Sequence, residues 1–190
     1  MDIVAIPPER TLPTTTLEEE HRNIEIALAI LQRMARKLTS GASLASGDAR
    51  ALLAFFRRYA DEIHQMKEEE LLFETLERAG LCREGGPIGV MLHEHEEGRQ
   101  LLGEMEAALE AGLQGSEGER FAKTAQHFVT LNREHILKED GVLYLMGGRI
   151  LSADDRRELE RRFETRATRG AAEASTQLEI LRRLQLSYAE

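Results

Sequence analysis

The apolar residues of this chain recur every three, four or seven positions, which is the period of a helix and not of a strand. One such stripe runs from Leu17 to Leu38, and similar stripes cover residues 46–80, 87–109 and 116–146. Only four prolines occur, three of them within the first thirteen residues, so the rest of the chain is free to be helical. The sequence therefore predicts an all-α protein.

Capping signals and glycines mark where the helices are expected to begin and end. Thr16 with Glu19 and Ser116 with Glu119 have the spacing of a capping box, and Ser152 has the position of an N-cap. Pro87 suits the first turn of the third helix. Breaks are expected at Gly41, Gly80, Gly112, Gly115 and Gly147-Gly148, with an interruption of the tail at Gly170.

These elements predict an up-and-down antiparallel four-helix bundle with an additional C-terminal helical tail, because short connections join neighbouring helices. Residues 1–15 are expected to form an extended N-terminal segment, residues 16–148 the bundle, and residues 149–190 the helical extension. From Leu151 to Glu190 the chain has eight arginines and eight acidic residues, so this part of the extension is neutral. It is expected either to cap the bundle or to form the surface of a homodimer.

The composition excludes several classes of function. The net charge of −9 would repel a phosphate backbone, so nucleic acid is not the expected partner. No apolar stretch approaches the ~20 residues that cross a bilayer, and the first residues do not resemble a secretory signal, so a cytoplasmic protein without a membrane partner is expected. The single cysteine, Cys82, excludes an intrachain disulfide and a cysteine-based zinc cage.

An internal repeat carries the main chemical signal. Residues 64–73 read HQMKEEELLF and residues 135–144 read HILKEDGVLY, so both segments contain His-x-x-Lys-Glu. Each segment follows, at nearly the same separation, a Glu-His dipeptide on the previous helix, Glu20-His21 or Glu94-His95. The chain therefore contains two helical hairpins of one design.

Six polar residues of these hairpins are expected to converge on the bundle axis, because a histidine and the glutamate four positions later share one helix face. The predicted metal ligands are His21, His64, Glu68, His95, His135 and Glu139. Four imidazoles and two carboxylates are too many for a closed tetrahedral zinc site. They fit two metal ions with each glutamate able to bridge, and the mixed nitrogen and oxygen donors suit iron or manganese.

These motifs resemble the hemerythrin-like (HHE cation-binding) family. The resemblance covers roughly residues 12–146 and is carried by Leu17 to His21, His64 to Glu69 with Leu72-Phe73, Gly86 to His95, and His135 to Glu139. It implies an up-and-down four-helix bundle that holds a non-haem di-iron centre and handles dioxygen or related small oxidants. The expected cofactor is a pair of iron ions with an oxo or hydroxo bridge, with manganese or zinc as alternatives.

Two positions depart from the oxygen-carrying members of that family. Those proteins have a second histidine four residues after the first on the third helix, where this chain has Arg99. Their last carboxylate lies five residues after its histidine, which would be Asp140, whereas the internal repeat favours Glu139. Arg99 is expected to pair with Glu68 or Glu139, to hold a bound anion, or to reach solvent. Reversible oxygen transport is therefore disfavoured.

The remaining polar residues near these motifs are interpreted without a role at the metals. Those expected to face solvent are His93, Glu69 and Glu70. An interhelical hydrogen bond is expected for His127. The acidic run Glu18–Glu20 favours a helix N-terminus through the helix dipole. The tyrosines interpreted first as core residues, and only second as donors to a bound oxidant, are Tyr59 and Tyr144.

The leading functional hypothesis is a non-haem di-iron protein that binds or reacts with dioxygen, peroxide or nitric oxide. If the protein is an enzyme, a catalase-like dismutation of peroxide is the natural reaction. The alternative is a non-enzymatic iron or oxygen sensor that signals through its C-terminal helices. A plain helical bundle with a polar core is the third hypothesis, which the duplicated set of ligands disfavours.

Overall fold

The structure, a computed structural model, describes residues 14–189 and contains helices without strands in that range. Its elements are α1 (Thr15–Thr39), α2 (Ser46–Phe55), the π-helical segments π1 (Phe56–Gln65) and π2 (Glu68–Phe73), α3 (Glu74–Arg78), α4 (Pro87–Ala111), α5 (Ser116–Lys138), the π-helical segment π3 (Glu139–Leu143), α6 (Tyr144–Ile150) and α7 (Ala153–Ser187). The predicted all-α fold is confirmed. Of the segment expected to be extended, residues 1–13 lie outside the described residues.

The elements before α7 form four antiparallel rods. The rods are α1, the continuous run α2–π1–π2–α3, α4, and the continuous run α5–π3–α6. The first and third rods each pack against the second and the fourth, which gives the predicted up-and-down bundle. The wide π turns lie in the second and fourth rods, in the segments that carry the repeated His-x-x-Lys-Glu motif, and such turns often occur at functional sites.

The apolar core is divided into two clusters along the bundle axis. The larger cluster includes Phe56 and Phe121, and it also contains Tyr59, as expected for that residue. The smaller cluster includes Phe73 and Ile88. Each fully buried leucine or phenylalanine contributes roughly 1.5–3 kcal/mol, so the two clusters together can offset the cost of a polar layer between them.

The C-terminal helix α7 is continuous and packs along the outside of the bundle. Ser152 is its N-cap, and a reciprocal pair of hydrogen bonds with Asp155 confirms the predicted cap. The predicted interruption at Gly170 is wrong, because helical structure runs through it. Of the residues of α7, Leu159 and Phe163 belong to the smaller apolar cluster, and Leu181 and Leu184 belong to the larger one. The tail thus packs on its own bundle, and the homodimer stays a prediction.

The first helix begins earlier than its sequence signal suggests. Thr14 is the N-cap of α1, so Thr16 already lies inside the helix and the predicted capping box with Glu19 does not form. Thr14 Oγ1 instead donates a hydrogen bond of 2.8 Å to Glu18 Oε1. The helix ends just before Gly41, whose φ of 78° is the left-handed conformation that glycine tolerates best.

Two ends in the fourth rod also differ from the prediction. Ser116 is the first residue of α5 and Gly115 is its N-cap, so Ser116 cannot cap the helix with Glu119. The rod continues through Gly147-Gly148 to Ile150, because both glycines are buried in helical conformation. Within residues 14–189, no helix has the length and apolar character needed to cross a lipid bilayer.

Candidate metal centre

The six residues predicted as metal ligands lie together in the polar layer between the two apolar clusters. They are His21 on α1, His64 on π1, Glu68 on π2, His95 on α4, His135 on α5 and Glu139 on π3, and none is more than 4% exposed. They form two groups of four, and within each group the ligand atoms lie within 4.8 Å of one another. Glu68 and Glu139 belong to both groups.

All four imidazoles direct Nε2 toward the two shared carboxylates. The distances from Nε2 to the nearest carboxylate oxygen are 3.2 Å for His21–Glu139, 3.4 Å for His64–Glu68, 3.6 Å for His95–Glu68 and 3.3 Å for His135–Glu139. The Nε2 atoms of His95 and His135 are themselves 3.0 Å apart. The nitrogen and oxygen donors therefore surround one small space in the bundle.

A second carboxylate lies against Nδ1 of every one of these imidazoles. The pairs are His21–Asp140 at 2.9 Å, His64–Glu20 at 3.0 Å, His95–Glu69 at 2.7 Å and His135–Glu94 at 2.9 Å. A carboxylate can only accept, so these partners assign the hydrogen to Nδ1 and leave Nε2 to bind a cation. Carboxylate–histidine pairs of this kind orient metal-binding imidazoles and make them more basic.

The acids that bind Nδ1 occupy equivalent positions in the two hairpins. Glu20 and Glu94 are the glutamates of the two Glu-His dipeptides. Glu69 and Asp140 each directly follow the glutamate of a His-x-x-Lys-Glu motif. The sequence alone does not indicate this role: it suggests only a helix N-terminal residue for Glu20 and a solvated face for Glu69, and the contacts with His64 and His95 show that both interpretations are wrong. The repeat marks Glu20 with Glu94 and Glu69 with Asp140 as equivalent positions, but it does not specify which imidazole each acid binds.

The lysine of each motif binds the same acid as the histidine of that motif. Lys67 Nζ donates to Glu20 at 2.5 Å, and Lys138 Nζ donates to Glu94. Lys67 is 1% exposed, so its ammonium group depends on Glu20 for its partner. Burial would raise the pKa of Glu20, but hydrogen bonds and charges from His64 and Lys67 lower it. This acid is therefore ionised at neutral pH.

An aromatic residue follows the glutamate of each hairpin by five positions, and the two aromatic residues differ. The hydroxyl of Tyr144 donates to Glu68 Oε1 at 2.7 Å, and its ring is parallel to that of His21 with centroids 6.0 Å apart. Phe73 stacks on His95 at 5.8 Å without a hydroxyl to donate. Tyr144 is thus buried, as expected, but it is also a donor to the candidate centre.

The pKa values of the two shared glutamates are displaced in opposite directions. Burial and the charge of Glu139 raise the pKa of Glu68 well above its ordinary value. Burial would do the same to Glu139, but the adjacent His135 and His21 hold its pKa well below the ordinary value. One carboxylate therefore holds a proton where the other is ionised, and a cation would displace that proton.

The four histidines fall into two classes. Burial alone would lower the pKa of His21 and His135, but the carboxylates around each of them raise it to about 10. Burial outweighs the adjacent acids at the other two, so it lowers the pKa of His64 to about 4 and also lowers that of His95. Protons on one pair of imidazoles thus balance part of the negative charge of the cluster.

The unpartnered atoms of the cluster test whether a metal ion fits there. Within residues 14–189, the buried ligand atoms without a hydrogen-bond partner include His21 Nε2, Glu68 Oε2 and both carboxylate oxygens of Glu139. His21 Nε2 is near Glu139, but the contact lacks hydrogen-bond geometry. Buried polar atoms are costly unless they are paired, and a cation bound among these atoms would pair all of them. The donor set therefore fits a metal ion.

Comparison with protein families agrees with this geometry. Residues 12–146 match the hemerythrin HHE cation binding domain. The chain belongs to this family. Similar curated proteins include uncharacterized proteins of Mycobacterium tuberculosis and Mycobacterium bovis, which are 25% identical over 175 residues, or 90% of this chain and 68% of each relative. No solved structure matches the chain. The hemerythrin-like domain thus has a candidate metal-binding site made of buried histidines and glutamates.

Arg99 takes the position at which oxygen-carrying hemerythrins have their second histidine on the third helix. Its Nε donates to Asp61 at 2.8 Å and its Nη2 donates to Glu69 at 2.6 Å. The expected pairing with Glu68 or Glu139 is not found, and the side chain, 25% exposed, does not simply extend into solvent. Arg99 instead fixes one of the acids that orient the imidazoles.

Of the two candidates for the last carboxylate, the structure places Glu139 in both groups of potential ligands. Asp140 lies outside the two ligand groups and binds the Nδ1 side of the cluster. His93 is exposed, as expected. The expected hydrogen bond of His127 is replaced by an ion-pair contact across helices, 3.2 Å from Glu97, with the imidazole 57% exposed. Neither of these histidines belongs to the two groups of potential ligands.

Proposed function

We propose that the chain is a non-haem di-iron protein that binds or reacts with dioxygen, peroxide or nitric oxide. The observation that carries the proposal is the pair of overlapping groups that share Glu68 and Glu139, because each group offers one metal ion two imidazoles and two carboxylates. The proposed ligands are His21, His64, Glu68, His95, His135 and Glu139. Bound iron would supply reversible electron transfer and a Lewis-acid position for a small oxidant.

The residues around this site would keep its donors in place and limit the access of water. The four acids at Nδ1 fix the orientation of the imidazoles, and Tyr144 fixes one oxygen of Glu68. The apolar clusters close the polar layer at both ends. In such surroundings a charge interacts more strongly with its neighbours than it does in water, which favours tight binding of a cation to the carboxylates.

Metal analysis tests the proposal directly. After anaerobic loading with ferrous iron and removal of the excess, the wild-type protein should hold two metal ions per chain. Glu68→Ala combined with Glu139→Ala should abolish loading, because it removes the shared carboxylates. Glu62→Ala combined with Glu134→Ala is the matched control, since both of these glutamates are exposed. Clearly fewer than two ions in the wild type, or normal loading of the first double variant, would contradict the di-iron proposal.

The contacts of α7 favour a second candidate function, a non-enzymatic iron or oxygen sensor. Arg166 pairs with Glu70 at 2.7 Å, and Arg162 pairs with Glu74 at 3.1 Å. Both acids follow Glu68 in the second rod. A movement of Glu68 on metal binding would therefore be close to the ion pairs that connect the second rod to α7. On this hypothesis, residues 16–148 bind the metal and residues 149–190 transmit the signal, as a cytoplasmic homodimer through the C-terminal helices.

Turnover distinguishes an enzyme from a sensor. An enzyme with catalase-like activity should release oxygen from many equivalents of added peroxide, in the ratio of one dioxygen for two peroxide molecules. A sensor should respond once per metal centre, and hydrogen exchange of α7 should change with the state of the centre. Repeated turnover with no change in α7 would exclude the sensor, whereas one stoichiometric response with a change in α7 would exclude the enzyme.

A further inference from the structure

Two cavities approach the polar layer from different sides of the bundle. The first, of about 590 Å³, lies between α1 and the α5–π3 rod and reaches His21 and Asp140. The second, of about 380 Å³, lies between α7 and the second rod and reaches Glu20 and Lys67. The first cavity is therefore lined by a proposed ligand, His21, whereas none of the described residues that line the second is a proposed ligand. Of those residues, Glu20 binds the proposed ligand His64.

The first cavity is also the place where the cluster is nearest to solvent. The side chain of Asp140 is 42% exposed, whereas the side chains of the other Nδ1 acids, Glu20, Glu94 and Glu69, are 11%, 11% and 20% exposed. The hydrogen bond from His21 to Asp140 uses one carboxylate oxygen, Oδ1. The second oxygen is free to receive a cation that arrives from the cavity.

The charges that line the two cavities have opposite sums. The first cavity has three acids, Glu18, Glu25 and Asp140, and one base, Arg22. Arg133 pairs with Glu25 at 3.3 Å from outside the cavity, and the sum over these rim residues, with the proposed ligand His21 left out, is still negative when that arginine is included. An acidic opening concentrates cations near the site and raises their rate of association.

The second cavity is unfavourable to a cation. Its bases are Lys67, Arg166 and Arg169, and its acids are Glu20 and Glu62. Lys67 lines this cavity together with Glu20, the acid that it shares with His64. Arg166 also pairs with Glu70 at 2.7 Å from outside the cavity, and the sum is zero when that acid is included. A cation that entered from this side would therefore meet no net negative charge and then a buried ammonium group.

We propose that the cavity between α1 and the α5–π3 rod is the entrance through which metal cations reach the centre. Its rim acids attract the cation, Asp140 receives it, and displacement of the His21–Asp140 pair admits it to the ligands. This inference rests on the proposed metal centre, but it concerns the rate of loading and not the final amount of bound metal.

Stopped-flow uptake of Co²⁺ by the metal-free full-length protein tests the entrance. Ile26 lines the first cavity and Ile63 lines the second, and both are partly buried against the larger apolar cluster. Ile26→Trp should slow uptake on the order of tenfold, within the range over which variants of one binding site change association rates. Ile63→Trp, the matched control, should load at the wild-type rate. Both variants should reach the wild-type stoichiometry.

A charge variant keeps the inference testable if either tryptophan variant does not fold. Glu18→Gln should slow Co²⁺ uptake about two- to threefold at low ionic strength, and added salt should remove the difference. Glu62→Gln, which removes one acid from the second cavity, should have no such effect. Two outcomes would contradict the proposal that the first cavity is the entrance. One is an equal uptake rate for Glu18→Gln and the wild type, and the other is a larger decrease in rate from the variants of the second cavity than from those of the first. A wild-type protein that binds no Co²⁺ or iron at equilibrium would overturn the centre as well.

Discussion

Tyr144 and Phe73 occupy equivalent positions in the two hairpins, but only Tyr144 has a hydroxyl to give to a carboxylate. Its bond occupies Glu68 Oε1, so Glu68 has one oxygen free whereas Glu139 has two. The bond also lowers the pKa of Glu68 against the larger effect of burial. The two shared glutamates are therefore unequal: Glu139 would offer both oxygens to bound cations, whereas Glu68 would offer one and depends on Tyr144 for the other.

Tyr144→Phe should weaken metal binding by about tenfold, the lower limit for loss of a group that supports a ligand. The substitution leaves Glu68 Oε1 buried without a donor, which raises the pKa of that carboxyl and opposes the ionised form. The metal-free variant should also lose about 1–3 kcal/mol of unfolding free energy. Competitive titration of Co²⁺ against a chelator and urea unfolding measure the two effects.

Tyr59→Phe is the matched control for this change. The hydroxyl of Tyr59 accepts a hydrogen bond from Asn23 and contacts no carboxylate of the centre. The control should bind metal with wild-type affinity. Equal affinities for Tyr144→Phe and Tyr59→Phe would show that the hydroxyl of Tyr144 does not support Glu68.

The six proposed ligands could be predicted from the sequence because they belong to a repeat, and the structure brings all of them together. The acids behind the imidazoles could not be predicted in the same way. Glu20 is adjacent to His21 along the chain, yet it binds His64 on another rod. Such a pairing depends on how the rods are rotated about their axes, and the period of one helix does not specify that rotation.

Glu20→Gln tests whether these acids matter to metal binding. The substitution keeps the shape of the side chain but removes the charge that orients His64 and balances Lys67. Affinity for Co²⁺ should fall about 10- to 100-fold, as is typical when such a partner of a metal-binding histidine is lost. Glu19→Gln, at the exposed neighbouring position, is the control and should have wild-type affinity. A similar affinity for the two variants would contradict the proposed role of Glu20.

Among the elements, the rods could be predicted from hydrophobic spacing, but their details could not. A π turn adds one residue to a helical turn, but apolar spacings of three and four residues also occur in ordinary α-helices, so the spacing does not identify π1, π2 and π3. The misplaced start of α1 has a different cause. Threonine occurs at positions 14, 15 and 16, each suitable for an N-cap, and the fit of Leu17 into the core rather than the capping spacing selects Thr14.

Two glycines of α4 provide a matched test of packing within one helix. A Cβ atom added at Gly89 would lie 2.3 Å from the carbonyl oxygen of Arg83, whereas one added at Gly103 would have nothing within 4 Å. Gly89→Ala should cost about 1–3 kcal/mol of unfolding free energy, because the loop before α4 must move. Gly103→Ala should add about 0.5–1 kcal/mol through helix propensity. Urea unfolding of both variants checks the signs, and a neutral Gly89→Ala would mean that the loop does not pack on α4.

At the scale of the whole molecule, the two apolar clusters stabilise a charged layer whose protons and cations compete. At neutral pH, His21 and His135 hold protons, since their pKa values are about 10, and the raised pKa of Glu68 favours its protonated form. Metal binding must release these protons. Affinity for Co²⁺ should therefore increase as the pH rises from 6.5 to 8.5, and proton release on binding should be detectable with a pH indicator.

The metal-free protein should respond to pH in the opposite direction. A histidine with a raised pKa contributes its full stabilisation below the unfolded value of about 6.5 and loses it as the pH rises through its folded value. His21 and His135 should therefore make the unfolding free energy of the metal-free protein fall from pH 6.5 to 8.5. His64 and His95, with lowered pKa values, act in the opposite direction. The unfolded chain binds more protons at these positions near pH 6.5, so they oppose the fall there, and their effect fades as the pH rises above the unfolded value.

Unfolding of the metal-free protein in urea at several pH values between 6.5 and 8.5 measures this slope. Replacement of both proton-holding residues, His21→Gln with His135→Gln, should flatten it, whereas the exposed pair His93→Gln with His127→Gln should leave it unchanged. Because affinity for metal rises over the same interval, the stabilisation by a fixed concentration of Co²⁺ should grow as the metal-free protein weakens. If the unfolding free energy of the metal-free wild type is constant or increases over this interval, His21 and His135 do not hold the protons assigned to them.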